Sequence, residues 1–308
     1  MTRFVLQRSL HGLLSLIGIV LLVFVLSRLT GSPARLYLPE DATEEMVRQF
    51  NAQNGFDEPI YIQLWNFIRG VAHLDFGRSL LYNSPALDVV MNRYPATLRL
   101  AAVATVIFTV VGVLIGCIGA ARKGTRTDDA TRLTSLVALS VPDFWVGITC
   151  IAVFAVYLNV LPTSGAGGVQ YWILPLIALT LRPIGVLTQV SRSSMIEELD
   201  SEYVRVARSK GVDERSVVLK HALRNAALPI VTVAGVLLAQ LVNGALVVET
   251  VFGWPGVGNL MVTAIRGRDF AVIQAVVLVT GAAIIVLNFM IDLAYSWLNP
   301  QIRLGAMT

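Results

Sequence analysis

Apolar residues in this chain are gathered into runs of about 20 residues, and this clustering limits the possible folds more than any other feature. A membrane-spanning helix needs about 20 apolar residues to cross ~30 Å of hydrocarbon. The runs lie at 10–29, 98–121, 133–158, 172–191, 227–251 and 272–293. Only 14% of the residues are charged, against about 25% in soluble domains. The sequence therefore predicts an all-α membrane protein with six transmembrane helices.

The first apolar run has the features of a membrane anchor rather than of a cleaved leader. Arg3 and Arg8 precede it, but a signal peptide has a shorter apolar region and a small-residue cleavage site. Residues 28–31 read RLTG and offer no such site. We therefore expect an uncleaved first helix.

Lys and Arg are divided unevenly between the two sides of the membrane. With a cytoplasmic N-terminus, fourteen of them lie in the inside segments 1–9, 122–132, 192–226 and 294–308. Two lie in the short outside segments 159–171 and 252–271. This asymmetry predicts that both termini are cytoplasmic. The predicted organisation is an N-terminal helix at 1–30, an extracytoplasmic helical insertion at 31–93, a transmembrane domain of five helices at 94–298 and a cytoplasmic tail at 299–308.

The insertion is predicted to contain two helices. Asp41 with Glu44 resembles a capping box, and Gly55 is placed to end that helix. Pro59 is placed to open the second helix. Its apolar face is formed by Leu64, Phe67, Ile68 and Val71.

The cytoplasmic segment 192–226 is long for a connection between spans. Its helical period predicts two amphipathic helices, at 201–210 and 213–224, with Asp213 as the N-cap of the second. Gly211 lies between them, where a positive φ lets the chain reverse. One side of the first helix is formed by Tyr203, Val206 and Ala207. The period and the glycine favour a docking element, and a solvated basic loop that serves only topology is the alternative.

The same segment carries a motif of a known family. Residues 203–211 read YVRVARSKG, followed by HALRN at 221–225 and LP at 228–229. This stretch resembles the cytoplasmic EAA loop of ABC importer permeases, in the form typical of the peptide-importer branch. Arg205 stands at the glutamate position and Val206 at the first alanine, a departure that is common in that branch.

Further motifs of that branch follow the family order. They are DFGRS at 75–79, SVPDFW at 140–145, VETVFGWPGVG at 248–258 and RDF at 268–270. Over nearly its whole length the chain resembles the first (B-type) permease subunit of the dipeptide, oligopeptide and nickel ABC importers. It departs from the family at 30–33, where TGSP replaces Pro-Gly-Asp-Pro, and at Arg182 in the fourth span.

The resemblance implies roles for two groups of residues. Coupling to an ATPase is implied for Tyr203, Arg205, Ala207, Arg208, Lys210 and Gly211. An outer motif is implied for Glu249, Trp254, Pro255, Gly256 and Gly258. The loop's first helix is expected to enter an ATPase cleft, with a small Ala207 for close approach and its cations facing acidic groups. Closure of the ATPases then tilts spans four and five.

Energy for transport is expected to come from other subunits. A phosphate-binding loop needs Gly-Lys-Ser/Thr, and no glycine precedes Lys123, Lys210 or Lys220. We therefore expect a transport subunit rather than an enzyme, without a cofactor, and with ATP and Mg²⁺ in its partners. The implied partners are a second permease forming a heterodimer, two cytoplasmic ATPases, an extracytoplasmic solute-binding protein and the lipid of the bacterial cytoplasmic (inner) membrane. No nucleic acid is expected, because the basic residues follow the membrane topology.

Polar side chains within the spans are candidates for the translocation pathway. Arg182 lies near the middle of span four, where an ionised side chain costs at least ~2.5 kcal/mol and faces a cavity or partner. It either lines the pathway and meets an anionic group, or pairs internally beside Pro183. Gln240 and Asn243 share a face of span five and either line the same path or join helices by hydrogen bonds.

The predicted function is ATP-driven import of di- and oligopeptides, with coupling near Gly211. Nickel chelates or glutathione are alternative cargoes of the same architecture. A proton-coupled secondary transporter is the alternative class, because Asp143 and Glu249 lie near span ends. Such carriers place carboxylates near the midplane, often with internal repeats, and the sequence has neither. Cys117, Cys150 and the three scattered histidines lack the spacing of a metal site, and no residue cluster indicates a membrane enzyme.

Overall fold

The computed structural model describes residues 2–29, 38, 42–54 and 57–298. Its helices are α1 (Thr2–Leu29), α2 (Glu44–Asn54), α3 (Ile60–Ala72), α4 (Ala86–Ala121), α5 (Arg126–Ser140), α6 (Asp143–Cys150), α7 (Gln170–Leu199), α8 (Glu202–Ser209), α9 (Glu214–Ser216), α10 (Leu223–Val251), α11 (Val257–Arg266) and α12 (Phe270–Leu298). Two π-helical segments, Ile151–Tyr157 and Val217–Ala222, follow α6 and α9. The all-α fold class is as predicted. The TGSP stretch at 30–33 and the tail at 299–308 lie outside the described residues.

Long apolar helices account for the predicted membrane spans. Within the described part of the chain, the helices that are long and apolar enough are Ser9–Leu26, Ala86–Ala121, Gln170–Leu199, Glu214–Leu241 and Phe270–Ile291. The pair Arg126–Ser140 and Asp143–Tyr157 passes the same test together and makes a sixth span when counted as one. The helices are longer than the apolar runs from which the spans were predicted. With 36 residues, α4 is about 54 Å long and extends well past the hydrocarbon.

Residues 133–158, which the sequence predicted as one continuous span, belong to two bent helical segments rather than to one helix. The two segments are bent by 93°. Val141 is extended, with φ −98° and ψ 126°, because the ring of Pro142 disfavours the helical region for the residue before it. Pro142 then serves as the N-cap residue of α6. The Ser140 hydroxyl donates to the Leu136 carbonyl at 2.8 Å, an i−4 bond of the kind that often bends helices.

One compact unit consists of residues 1–96 and 255–289. The start of α4, α11 and the first half of α12 form its main core, with buried residues that include Ala86, Val90, Val257, Leu260, Ala264, Val272 and Ala275. A smaller cluster joins α1, α3 and α12 through Val20, Val23, Leu278, Phe67 and Val71.

Among the described residues, the second compact unit consists of 97–254 and 290–298. In it, α7 packs against α5, α6 and α10. Gly116 on α4 allows a close approach to α7, because an added Cβ there lies 2.6 Å from the Ser191 Cβ. Small residues of this kind are typical of helix contacts in membranes.

The insertion between the first two spans has the two predicted helices, with differences in detail. Thr43 Oγ accepts from the Met46 N–H at 3.3 Å and caps α2, whereas Asp41 and Gly55 lie outside the described residues. Pro59 precedes α3 as predicted. Phe67 and Val71 face the core. Ile68 was predicted to lie on the same face, but it is 38% exposed. The buried face of α3 is therefore narrower than its apolar face.

Candidate functional site

α8 carries most of the residues that the sequence assigns to coupling. Val204 is fully buried, whereas Tyr203 and Val206 are 39% and 51% exposed. Ala207 is half-buried, and Lys210 is exposed just after the helix. The predicted common side of Tyr203, Val206 and Ala207 is therefore the side that points away from this chain's core.

Gly211 ends α8 in the left-handed conformation, with φ +75°. Its N–H donates to the Arg208 carbonyl at 3.0 Å, and the Val212 N–H donates to the Ala207 carbonyl at 3.3 Å. These bonds satisfy carbonyls of the last helical turn. A Cβ at Gly211 would meet nothing within 4 Å. Backbone conformation, not lack of space, therefore favours glycine at this position.

Arg208 has its partner within the loop. Its Nε and Nη2 donate to the two carboxylate oxygens of Glu214 at 3.1 and 2.7 Å, and its Nη1 donates to the Leu199 carbonyl at 3.4 Å. The bond to Glu214 raises the pKa of Arg208. This pair closes the turn around Gly211. Arg208, which was expected to face acidic groups of an ATPase, is exposed together with Arg205, and it also pairs with Glu214 within the loop.

The second predicted helix, 213–224, is not a separate element. The Asp213 carboxylate accepts from the Arg215 N–H at 3.2 Å, as predicted for an N-cap. The chain then passes through α9 and a π-helical turn directly into α10. Tyr203 Oη donates to Glu198 Oε2 at 2.5 Å, which ties α8 to the end of α7.

Two ion pairs lie at the ends of α4, α5 and α7. Asp128 is 3% exposed; it accepts from Nε of Arg192, from Nη2 of Arg192 at 2.8 Å and from the Gly124 N–H at 3.1 Å. Lys123 and Asp200 form a second pair at 2.8 Å, with both side chains more than half exposed. The hydrogen bond from Lys123 lowers the pKa of Asp200. The buried pair joins α5 to α7.

The predicted pathway residues are only partly brought together. Arg182 on α7 is exposed and close enough to Asp143 for their charges to interact. The Asp143 Oδ1 atom is buried and has no hydrogen-bond partner. Gln240 on α10 is exposed, and the Asn243 side chain lies outside the described residues. Arg182 therefore has an acidic neighbour that the sequence did not suggest.

The predicted outer motif begins with two buried residues, Glu249 in the last turn of α10 and Trp254 just after it. Glu249 is fully buried, and its Oε1 accepts from Thr97 Oγ at 2.6 Å. The Trp254 ring packs edge-to-face on Trp172, with ring centroids 4.7 Å apart, and the backbone N–H of Trp254 donates to the Glu249 carbonyl. These contacts tie α10 to α4 and α7. The other motif members lie at the start of α11. Pro255 and Gly256 precede the helix, with Gly256 as its N-cap, and the buried Gly258 is its second residue.

Two other motifs meet in the other unit. Ser79 of DFGRS donates from Oγ to the Asp269 carboxylate of RDF at 2.5 Å, and the Leu81 N–H donates to the same oxygen at 3.2 Å. Asp269 also accepts from the Val272 N–H at the start of α12. Ser79 and Asp269 are both buried. The motifs thus fasten the loop before α4 to the start of α12.

The chain matches a described protein family over most of its length. Residues 112–304 match the binding-protein-dependent transport system inner membrane component, and residues 1–101 match the N-terminal membrane component of the same systems. The chain belongs to this family of ABC importer permeases. The permease is 36% identical over 304 residues to the glutathione transport system permease protein GsiC of Escherichia coli (strain K12), covering 98% of this chain and 99% of that protein. GsiC of Salmonella typhi gives the same identity and coverage.

Solved structures share the fold of the permease. The inward-facing MetNI methionine ABC transporter matches with a TM-score of 0.59 at 16% identity, covering 68% of this chain and 96% of that chain. An amino acid ABC transporter with histidines matches with a TM-score of 0.55 at 13% identity, covering 68% and 94% of the two chains. At these identities the likeness concerns the fold alone.

The buried polar contacts of the permease could hardly be predicted from its sequence. Asp128 lies in the first turn of α5, where an acidic side chain is usual, so it did not stand out. Ser79 and Asp269 belong to recognised motifs, but nothing in either motif indicated that they meet. Only the spatial arrangement identifies these pairs.

Proposed function

We propose that this permease imports short peptides across the bacterial cytoplasmic membrane, driven by partner ATPases that act on α8. The observation that carries the proposal is the outward face of α8. Tyr203 and Val206 form an exposed apolar face on a helix that is anchored from behind by buried Val204. Apolar side chains on a well-anchored helix fit a groove in another protein.

Two side-chain contacts connect α8 to spans four and five. Tyr203 is bonded to Glu198 at the end of α7. On the other side, the Arg208–Glu214 pair links α8 to α9, which continues into α10. A displacement of α8 therefore acts on α7 and α10 together, which fits gating by rigid-body motion.

The proposed assembly contains the permease, a second permease, two ATPases with bound ATP and Mg²⁺, and a solute-binding protein. The distribution of Lys and Arg supports an orientation with both termini and α8 in the cytoplasm. In that orientation the insertion between the first two spans and the Glu249–Gly258 motif face the outside. Lack of a Gly-Lys-Ser/Thr sequence supports placing ATP hydrolysis in the partners.

The proposed cargo is a di- or oligopeptide, with glutathione as a peptide-like candidate. The motifs of the peptide-importer branch and the name of the glutathione permease relatives support this class. Arg182 lies on α7, and Asp143 lies in the first turn of α6, which packs against α7. Opposite charges of this kind suit the two charged ends of a short peptide.

Uptake by cells that carry the whole transporter tests the proposal. We expect labelled dipeptide uptake to survive an uncoupler and to fail when ATP is depleted. Competition by unlabelled glutathione or by a nickel chelate ranks the alternative cargoes. Uptake that fails with the uncoupler while ATP is maintained would indicate a proton-coupled carrier instead.

An Arg182→Ala variant is expected to lower peptide uptake at least tenfold, the equivalent of about 1.4 kcal/mol, because a cation facing the pathway is lost. Uptake rate and the amount of assembled transporter are the two measurements. Arg182→Lys is expected to keep part of the activity. Arg266→Ala, which removes an exposed charge at the end of α11, is the control and is expected to transport normally. Normal uptake by Arg182→Ala would exclude this residue from the pathway.

A further inference from the structure

The apolar surface of α3 is wider than the surface it buries. Phe67 and Val71 pack into the cluster with α1 and α12. The helical period places Ile68, Tyr61 and Trp65 on a continuous arc beside them. These three side chains are 38%, 69% and 66% exposed. Half of the apolar arc of α3 therefore has no cover within the described chain.

The opposite side of α3 is polar. Asn66 and Arg69 lie there, and both are exposed. The helix has 13 residues, so it is about 20 Å long and too short to cross ~30 Å of hydrocarbon. A short helix with a polar side, an apolar side and an aromatic pair has the character of a helix that lies in a membrane interface.

The level of α3 relative to the membrane follows from its contact with α1. The Phe67 ring packs on Phe24, with centroids 5.7 Å apart. Phe24 is two residues before the end of the apolar stretch Ser9–Leu26, or about 3 Å along the helix axis. This contact holds α3 at the edge of the hydrocarbon, where interfacial helices insert by about 5–10 Å.

The exposed apolar side chains of α3 resemble those of α1, whose apolar surface is suited to contact with lipid. The apolar stretch of α1 is only 17% buried, and Leu22, Val25 and Leu26 are at least half exposed near the same end. Tyr and Trp are enriched where such a surface meets the headgroups. Arg69, on the polar side of α3, is placed to reach the phosphates.

We propose that α3 is an interfacial helix that binds the membrane surface at the C-terminal end of α1, with Tyr61, Trp65 and Ile68 inserted among the lipid headgroups and upper acyl chains. The ligand is the bilayer itself. The helix fixes the height and tilt of α1 by adding an anchor beside it. This function is independent of the cargo and of the ATPase.

Site-directed spin labelling of the whole transporter in lipid nanodiscs tests the proposal. Cys117 and Cys150, both buried, are replaced by alanine, and single cysteines are introduced as Trp65→Cys, Ile68→Cys and the control Asn66→Cys. Collision with oxygen, which concentrates in lipid, is compared with collision with a water-soluble nickel complex. Asn66 is adjacent in sequence but lies on the polar side, so it controls for local mobility.

We expect labels at Trp65 and Ile68 to collide several-fold more with oxygen, and several-fold less with nickel, than the label at Asn66. Equal nickel collision at Trp65 and Asn66 would place the arc in water and overturn the proposal. Low collision with both reagents and an immobilised spectrum at Trp65 would also overturn it, because the arc would then be covered by a protein partner. Repeating the measurement without the solute-binding protein identifies whether that partner is the binding protein.

Discussion

A Gly211→Val variant is expected to reach the membrane and assemble, and to lose ATP-driven uptake. Gly211 has φ +75°, a conformation that is an outlier for a β-branched residue and costs on the order of 1–3 kcal/mol. The strain is relieved only if the turn after α8 opens, which moves Tyr203 and Val206 out of position. Peptide uptake into proteoliposomes supplied with ATP measures coupling. Copurification of the second permease measures assembly.

Gly124→Val is the matched control. Gly124 has φ +78°, and a Cβ there meets nothing within 4 Å, so the same substitution imposes similar strain at the turn between α4 and α5. We expect this variant to keep uptake. Gly211→Asn is expected to recover part of it, because asparagine tolerates positive φ. Equal uptake by the two valine variants would remove the α8 turn from the coupling mechanism.

Replacing Asp128 by alanine is expected to destabilise the permease by about 3–5 kcal/mol. The change leaves the largely buried Arg192 guanidinium without its carboxylate, and the Gly124 N–H loses its acceptor. The apparent thermal unfolding midpoint in detergent, at one fixed scan rate, measures the effect. For a protein of this size we expect a fall on the order of 10 °C.

The exposed pair provides the comparison for this prediction. Lys123→Ala removes a partner from Asp200, and both side chains are more than half exposed, so the loss of stability is expected to be much smaller than for Asp128→Ala. A double variant, Asp128→Leu with Arg192→Met, is expected to regain much of the stability, because no buried charge is left unpaired. If Asp128→Ala and Lys123→Ala shift the midpoint equally, burial does not govern the effect.

The spans were predictable because run length alone distinguishes a membrane helix. The break in the third span was less so, although its cause is local. Pro142 restricts Val141, but many membrane helices pass through proline without breaking. In this chain α7 does so at Pro175 and Pro183. Whether a proline breaks a helix depends on neighbours that a single sequence does not identify.

In the coupling loop, too, features set by neighbouring residues were predictable, whereas contacts between residues further apart were not. The end of α8 at Gly211 and the cap at Asp213 follow from short-range backbone preferences, and the sequence predicts both. The charge of Arg208 was visible in the sequence, but its contact with Glu214 was not. The helical period predicted which residues of α8 share a face. Only the packing of Val204 shows which face points outward.

The buried Asp128–Arg192 pair sets a condition on the order in which the permease is made. The four charged side chains of α5 lie in its first two turns, within the segment 122–132 that the sequence predicts to be cytoplasmic. Arg192 follows Asp128 by 64 residues, which takes about 3–13 s of translation at ~5–20 residues per second. During that interval the carboxylate has no basic partner from α7. The first turns of α5 therefore reach their final packing only after α7 has been synthesised.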